Sequence, residues 1–397
     1  MARFNTINAS FFGLFTLLGS FLYSNRGSLM TLYANRPGSL KEYNILPSAG
    51  VEFEDIVRSC EDVYMNTDEG WAILSCDPGR GSWNTVMGTF IDSSAHPDAG
   101  LYIYHYQDQV NAVPIKLTFS NFASGERNFH PLGIEYVPQS RTLYVVNHAP
   151  NGPRIESFRI TVDHQEALHI GTIEHPELRT PNSIAALSPS SLLVTNDHYF
   201  EIRKSRVLAK LETYLALPLA SVVRLDLDIS RKAGPPKVTQ LARLAFANGV
   251  ALLNATTVAV SSSAGAAVHV YTSPSRFMKD ADDIKLVNTI RLPFLPDNLS
   301  VDSNCALLIA GAPYAPALEA VSKASAEFDK PDAVQADRPK APSWIAEWTE
   351  KDGLKDLFVG NDFSTSTTAV RDSGRGIGLA VGLYERGIMT WGDGTAA

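Results

Sequence analysis

Six short apolar runs recur along this chain and restrict its architecture more than any other feature. They are WAILSCD from Trp71, LYVVNHA from Leu143, LLVTNDH from Leu192, TVAVSSSA from Thr257, ALLIAGAP from Ala306 and IGLAVGLY from Ile377. Each is strand-length, rich in Val, Leu and Ile, and ends in small or turn-forming residues. Ten to twelve residues ahead of each lies a loop that opens into a second apolar strand. These read CEDVYM (60–65), PLGIEYV (131–137), PNSIAAL (181–187), ANGVALL (247–253), PDNLSVD (296–302) and TSTTAVR (365–371). A unit repeating at about 40–50 residues, with insertions, has the period of a four-stranded propeller blade. Six units predict an all-β fold, a six-bladed β-propeller spanning residues 36–397 as one domain.

Two stretches interrupt the strands. Glu201 to Ala216 carries Ile202, Val207, Leu208, Leu211 and Leu215 among alternating charges, the pattern of an amphipathic helix. It follows TNDHYF, at the end of the blade where the loops gather, and is expected to form a short lid or a cap there. Residues 316–342 are rich in Ala, Lys, Asp and Pro and read as a solvated insertion without chemistry, with a short helix over 316–328.

At the amino terminus, Phe4 to Asn25 is uncharged and Phe11 to Tyr23 is almost continuously apolar, between Arg3 and Arg26. Residues 1–35 are therefore expected to be a secretory signal or signal-anchor with its linker, cleaved or retained. That predicts a secreted or membrane-anchored protein with a possible lipid contact through this segment. The sequon Asn254-Ala-Thr256 agrees with such a route. The net charge of −8, with no Lys/Arg run longer than two, argues against a nucleic-acid partner and suits a cation. Cys60, Cys76 and Cys305 are too few for a disulfide scaffold or a zinc knuckle. Cys60 and Cys76 are open to pairing, with a contribution of about 3 kcal/mol, or to serving as buried thiols.

The chemistry sits at the starts of the second set of strands. Four of the six place an acid or amide there: Glu61 with Asp62, Asn182, Asn248, and Asp297 with Asn298. The first strand of a blade lines the central channel, so equivalent positions converge on the axis at one end. Two carboxylates and three amides form a hard oxygen set, suited to Ca²⁺ rather than zinc. A calcium ion at the bottom of a pocket polarises a carbonyl and lowers the pKa of bound water, which points to ester or lactone hydrolysis. No G-x-S-x-G elbow, H-E-x-x-H helix or nucleotide loop offers another chemistry. Gly374 to Gly378 precedes a strand and reads as a hairpin.

The strings SCEDVYMNTDEGWAILSCD, FHPLGI, LYVVNHAP, TNDHYF, FANGV and LPDNLSVD resemble, in order and spacing, the paraoxonase/arylesterase family over about residues 50–390. The resemblance implies a six-bladed propeller with two calcium ions in its tunnel, hydrolysing small-molecule lactones and aryl esters. It places the catalytic calcium on Glu61, Asn182, Asn248, Asp297 and Asn298, the positions the repeat had already selected. It implies a structural calcium on Asp62 and the Ile134 carbonyl, weakened because Ser183 stands where a third ligand would be an aspartate. It also implies a pair of histidines that activates water. His148 matches the outer one, whereas Leu132 replaces the inner one. His130, two residues earlier, shares a face with Leu132 in an extended chain and is a candidate to reach the same space, set against an ordinary loop histidine. His148, His130 and Asp297 are the expected proton acceptors, and His198 a pocket-lining residue. The family's closing disulfide has no cysteine in the last strand here, so ring closure is expected to rest on β-pairing. The alternatives to a hydrolase are a non-catalytic, calcium-stabilised binding propeller and a strictosidine-synthase-like condensing enzyme.

Overall fold

Strands buried on both faces need apolar residues at every position, and the six runs supply them. In the computed structural model, which describes residue 19 and residues 26–108, 112–122, 125–227, 236–275, 278, 283–328, 330 and 338–392, each run is the second strand of a blade. Alternate side chains of one strand enter the two neighbouring interfaces. Ile73 packs with Tyr136 and Phe158 of the second blade, while Ala72 and Leu74 pack with Leu379 and Val381 of the sixth. Likewise Leu193 faces the fourth blade and Leu192 and Val194 the second. A buried apolar cluster fills each of the six interfaces between adjacent blades.

The strands that open the blades are Cys60–Asn66, Pro131–Val137, Pro181–Ser188, Ala247–Asn254, Leu295–Val301 and Ser366–Asp372. Each touches the next, and the sixth touches the first, so they ring the axis. The six-bladed propeller expected from the repeat is thus the observed fold. The last blade is completed from the amino-terminal side, where Gly50–Glu52 pairs antiparallel with Ile388–Gly392. Closure therefore rests on strand pairing. The cysteine question resolves separately: Cys60 and Cys76, opposite each other in the first two strands of blade one, form a disulfide, and Cys305 is exposed and free.

Three α-helices have their bounds among the described residues: α1 (Arg26–Ala34), α2 (Arg206–Tyr214) and α3 (Ala315–Phe328). Helix α2 starts at Ser205, whose Oγ accepts from the Leu208 N–H. Its packed face is not the apolar one expected. Ala209 and Glu212 are buried, the Glu212 carboxylate accepting the Tyr199 and Phe200 N–H groups at 2.8 and 2.9 Å. Val207, Leu208, Leu211 and Tyr214 are exposed. The 316–342 stretch also departs from its reading as a solvated insertion. Helix α3 lays a narrow face of Val321, Ser322 and Ser325 against the body, with Val321 packed on Ala341, Leu383 and Tyr384. The apolar segment from Phe4 to Asn25 lies outside the described residues apart from Gly19, as do residue 329 and residues 331–337 of the insertion.

Candidate metal centre and pocket

Every opening strand breaks register with its neighbour near its start. The ladder jumps between Cys60 and Asp62, Pro131 and Ile134, Pro181 and Ile184, Ala247 and Val250, Pro296 and Leu299, and Ser366 and Thr368. Such irregularities re-aim side chains and release backbone from the ladder. The residues inside the jumps include Glu61, Asn182, Asn248, Asp297 and Asn298, the set selected from the sequence. Close approach of adjacent strands makes room for this. A Cβ on Gly249 would stand 2.6 Å from Asn298 Cα, and one on Gly133 would stand 2.3 Å from the Asn182 carbonyl oxygen. Hydroxyls from the second strands catch the freed backbone: Ser75 donates to the Leu132 carbonyl at 2.6 Å and Ser261 to the Asp297 carbonyl at 2.5 Å.

The five residues come together at the axis, all buried except Asp297, which is half-buried. Each asparagine ties its amide nitrogen to the protein. Asn182 Nδ2 donates to Asp197 Oδ2 at 3.4 Å, and Asn248 Nδ2 to Ser263 Oγ at 3.1 Å. Asn298 Nδ2 donates to Glu61 Oε1 and Thr368 Oγ1, each at 3.0 Å. The carbonyl ends are left over. Asn182 Oδ1, Asn248 Oδ1, Asn298 Oδ1 and Glu61 Oε2 are buried and receive no hydrogen bond. A buried acceptor without a donor costs about 1–3 kcal/mol, so four in one place are a specific demand for positive charge. The acids say the same. Burial, then the charges of Asp62 and Asp297, hold Glu61 well above the usual carboxylate range. Asp297 is pushed up to about 7, chiefly by burial. Among the described residues no group of three or more His, Cys, Asp or Glu side chains forms a metal cluster. The donors here are instead a carboxylate-and-amide mixture, which fits a hard cation such as Ca²⁺.

At the implied second cation site, the Asp62 carboxylate accepts three protein hydrogen bonds. Asp62 Oδ2 accepts the Ile134 N–H at 2.8 Å, and Oδ1 accepts the Val63 N–H and the Thr368 hydroxyl, each at 2.9 Å. Ser183, in the place of the expected aspartate, accepts from the Val250 N–H through Oγ. These three hydrogen bonds to Asp62 do not fully offset its burial, and its carboxyl is still pushed up to about 6.

Above the oxygens opens a pocket of about 240 Å³. Glu61, Asn182, Asn248 and Asp297 line it together with apolar walls that include Met87, Leu132, Phe246 and Leu383, and residues of α2 and α3 form its rim. Neither His130 nor His148 lines it. His130 is sealed in the body, Nδ1 on Asp77 Oδ2 at 2.9 Å and Nε2 on the Ser93 carbonyl at 3.1 Å. The expectation that it reaches Leu132's space fails because the register jump between Pro131 and Ile134 destroys the two-residue alternation it relied on. His148 is buried behind Thr85, its Nε2 2.6 Å from the Pro181 carbonyl. His198 does line the pocket, with Nδ1 on Asp197 Oδ1 at 2.8 Å and Nε2 on Thr213 Oγ1 at 2.6 Å. Burial lowers its pKa, but the Asp197 charge and hydrogen bond outweigh that and leave it raised.

Three pocket residues escaped the sequence reading. Arg80 is fully buried, donates Nη2 to the Pro131 carbonyl at 2.8 Å, and counters the charges of Glu61 and Asp297. Asp197 orients both Asn182 and His198. Its place in TNDHYF, just past a repeated run, was a usable signal. Thr85 and Arg80 lie in a loop outside the repeat, which carries no periodic mark.

The arylesterase family model matches residues 101–329, more than half of the chain. The chain belongs to the arylesterase family. Rabbit (Oryctolagus cuniculus) serum paraoxonase/lactonase 3 is 29% identical over 304 residues, covering 75% of this chain and 78% of that protein. Mouse (Mus musculus) serum paraoxonase/arylesterase 1 is 32% identical over 180 residues, covering 44% of this chain and 46% of the relative. Among solved structures, one described as a "putative gluconolactonase" superimposes with a TM-score of 0.50 at 14% identity, covering 89% of this chain and 97% of that one. That likeness is one of fold.

Proposed function

We propose that this arylesterase-family chain is a calcium-dependent hydrolase of lactones and aryl esters. The observation that carries the reading is the set of four unpartnered buried oxygens from four blades, three of them on residues that line a largely apolar pocket. Glu61, Asn182, Asn248, Asp297 and Asn298 would hold the ion. Bound calcium supplies a fixed positive charge for a substrate carbonyl oxygen and for the oxyanion that develops on it. The chain's own residues do the rest. Met87, Leu132, Phe246 and Leu383 take the apolar part of the substrate. Helices α2 and α3 narrow the mouth and limit water around the reacting carbonyl. Of the expected proton acceptors, Asp297 lines the pocket, whereas His148 stands behind Thr85.

The same reading places the chain in the secretory pathway, supported by the Phe4–Asn25 segment and by a disulfide suited to an oxidising compartment. It also includes contact with lipid, supported by exposed apolar side chains on α1 and α2.

The test is hydrolysis of a panel of aliphatic lactones and aryl esters by the native chain, the chelated chain, and the chelated chain with calcium restored. Activity lost and regained with calcium is expected. Asn298→Ala, which removes one unpartnered oxygen, should abolish turnover while the fold persists. Full activity in that variant or under chelation refutes the mechanism. A melting temperature that falls on chelation without any turnover would establish the binding propeller instead, and a coupled rather than hydrolysed product the condensing enzyme.

A further inference from the structure

His148 has lost the histidine partner that the family resemblance implied, yet its ring is not isolated. Nε2 lies 2.6 Å from the Pro181 carbonyl, which only accepts, so this nitrogen carries hydrogen whatever the ring's charge. The Nδ1 lone pair is left to face the Thr85 hydroxyl, which contacts it and must donate. Thr85 also lines the pocket alongside Glu61, Leu132 and Asp297. Thr85 thus stands between the axial pocket and the imidazole, with which it also lines a neighbouring cavity, and a fixed acceptor holds the far ring nitrogen.

The loop that carries Thr85 is stitched to the body on both sides. Trp83 Nε1 donates to the His148 carbonyl at 2.9 Å, and Asn84 Nδ2 to the Tyr384 hydroxyl at 2.9 Å. Asn84 Oδ1 accepts the Val86 and Met87 N–H groups, each at 2.9 Å. Trp83–Asn84 also pairs with Thr89–Phe90. This positions the hydroxyl on the imidazole.

We propose that Thr85 is the relay hydroxyl through which His148 takes the proton of the attacking water, a hydroxyl–imidazole pair in place of two histidines. The inference rests on the hydrolase reading above. As the water oxygen bonds to the carbonyl carbon, its proton passes to Thr85 Oγ1 and the Thr85 proton to His148 Nδ1. When the ester C–O bond breaks, the proton returns from His148 to Thr85 and from Thr85 to the leaving oxygen. Net, water is added across the bond and both residues are restored. Burial holds the ring below its ordinary pKa, so it rests neutral with its Nδ1 lone pair in place. Of the charged groups that face it, Asp197 favours the imidazolium, while Arg80 and His130 oppose it.

The test compares Thr85→Val, Thr85→Ser, His148→Gln and the Thr85→Val/His148→Gln double variant as calcium-loaded full chains on an aryl acetate that the native chain hydrolyses. Thr85→Val should lower kcat about a hundredfold with KM changed less than about threefold. Thr85→Ser should stay within about threefold of the native kcat, because the hydroxyl remains. His148→Gln should lose as much as Thr85→Val, and the double variant no more than either, because the two act as a unit. Native kcat in Thr85→Val overturns the relay, as does a Ser variant as slow as Val or losses that multiply in the double variant. A Thr85→Val chain that no longer binds calcium or melts early also overturns it, since the loss would then be structural. A native chain that hydrolyses nothing in the panel overturns the hydrolase reading itself, which separates the two failures.

Discussion

Asn298 shows at the scale of one residue why the site is built from amides. Its nitrogen is spent on Glu61 and Thr368, which fixes the direction of its oxygen before any ion arrives. An aspartate could not be tethered that way, since a carboxylate donates nothing. The repeat made Asn182, Asn248, Asp297 and Asn298 legible, because residues at equivalent strand starts in a ring must meet at its axis. His130 misled for a local reason: alternation in a strand holds only while the register does, and the register jumps at Pro131. Away from the axis, Asp302 offers a separate test of side-chain electrostatics. Burial alone would raise its pKa, but hydrogen bonds from Ser373, the Ala306 N–H and Arg371 hold it below the usual value, and Arg371 also holds Glu347 below its own. A carboxylate whose folded pKa is depressed contributes stability above its unfolded pKa and loses it as pH falls through the folded one. Arg371→Met should therefore destabilise the chain by about 2–3 kcal/mol at pH 7. In urea melts the gap to the native chain should narrow below about pH 4, where unfolded carboxylates take up protons. A pH-independent gap would mean that Arg371 acts through packing alone.

At the scale of elements, the inserted helices were the least legible part. Helix α2 was visible as a periodic apolar stripe, but that stripe marks its exposed side, because buried Glu212 captures two backbone N–H groups and so faces inward. The expected helix over 316–328 is present as α3, but the stretch reads as solvated because a contact face of Val, Ser and Ser carries almost no hydrophobic period. Small side chains let the helix lie close, with Ser322 Oγ 2.8 Å from the Tyr384 hydroxyl. The two helices meet over the pocket, where the Tyr214 hydroxyl donates to Glu319 Oε1. Both residues line the pocket, and Tyr214 is pushed up to about 12, first by this bond and then by burial. Tyr214→Phe removes the bond and keeps the ring. It should raise kcat/KM for bulky aryl esters a few-fold while leaving small ones unchanged, and speed proteolysis within α2. Equal effects on large and small substrates would show that the contact does not govern access.

At the scale of the molecule, the helices share one end of the propeller with the pocket. Ser28 of α1 donates to the carbonyl of pocket-lining Ala264, and Asn35 just beyond α1 donates to the Pro293 and Pro313 carbonyls, so α1 sits beside the mouth that α2 and α3 rim. Both α1 and α2 turn apolar side chains outward, with Met30 68%, Tyr33 69%, Val207 69% and Tyr214 58% exposed. Scattered apolar residues need no explanation, but several on two helices at one end describe a surface. Each such side chain buried in an acyl layer contributes about 1.5–3 kcal/mol, enough for a few together to hold the end of a propeller against a bilayer. The chain cut before Arg26, which separates this surface from the apolar amino-terminal segment, should sediment with phosphatidylcholine vesicles. Val207→Asp/Leu211→Asp should reduce that partition at least tenfold. Neither residue lines the pocket, so hydrolysis of a soluble ester should be unaffected while turnover of a vesicle-dissolved one falls. Undiminished sedimentation of the double variant would remove α2 from any lipid contact. Equal loss on both substrates would mean that the substitutions disturbed the lid rather than the surface.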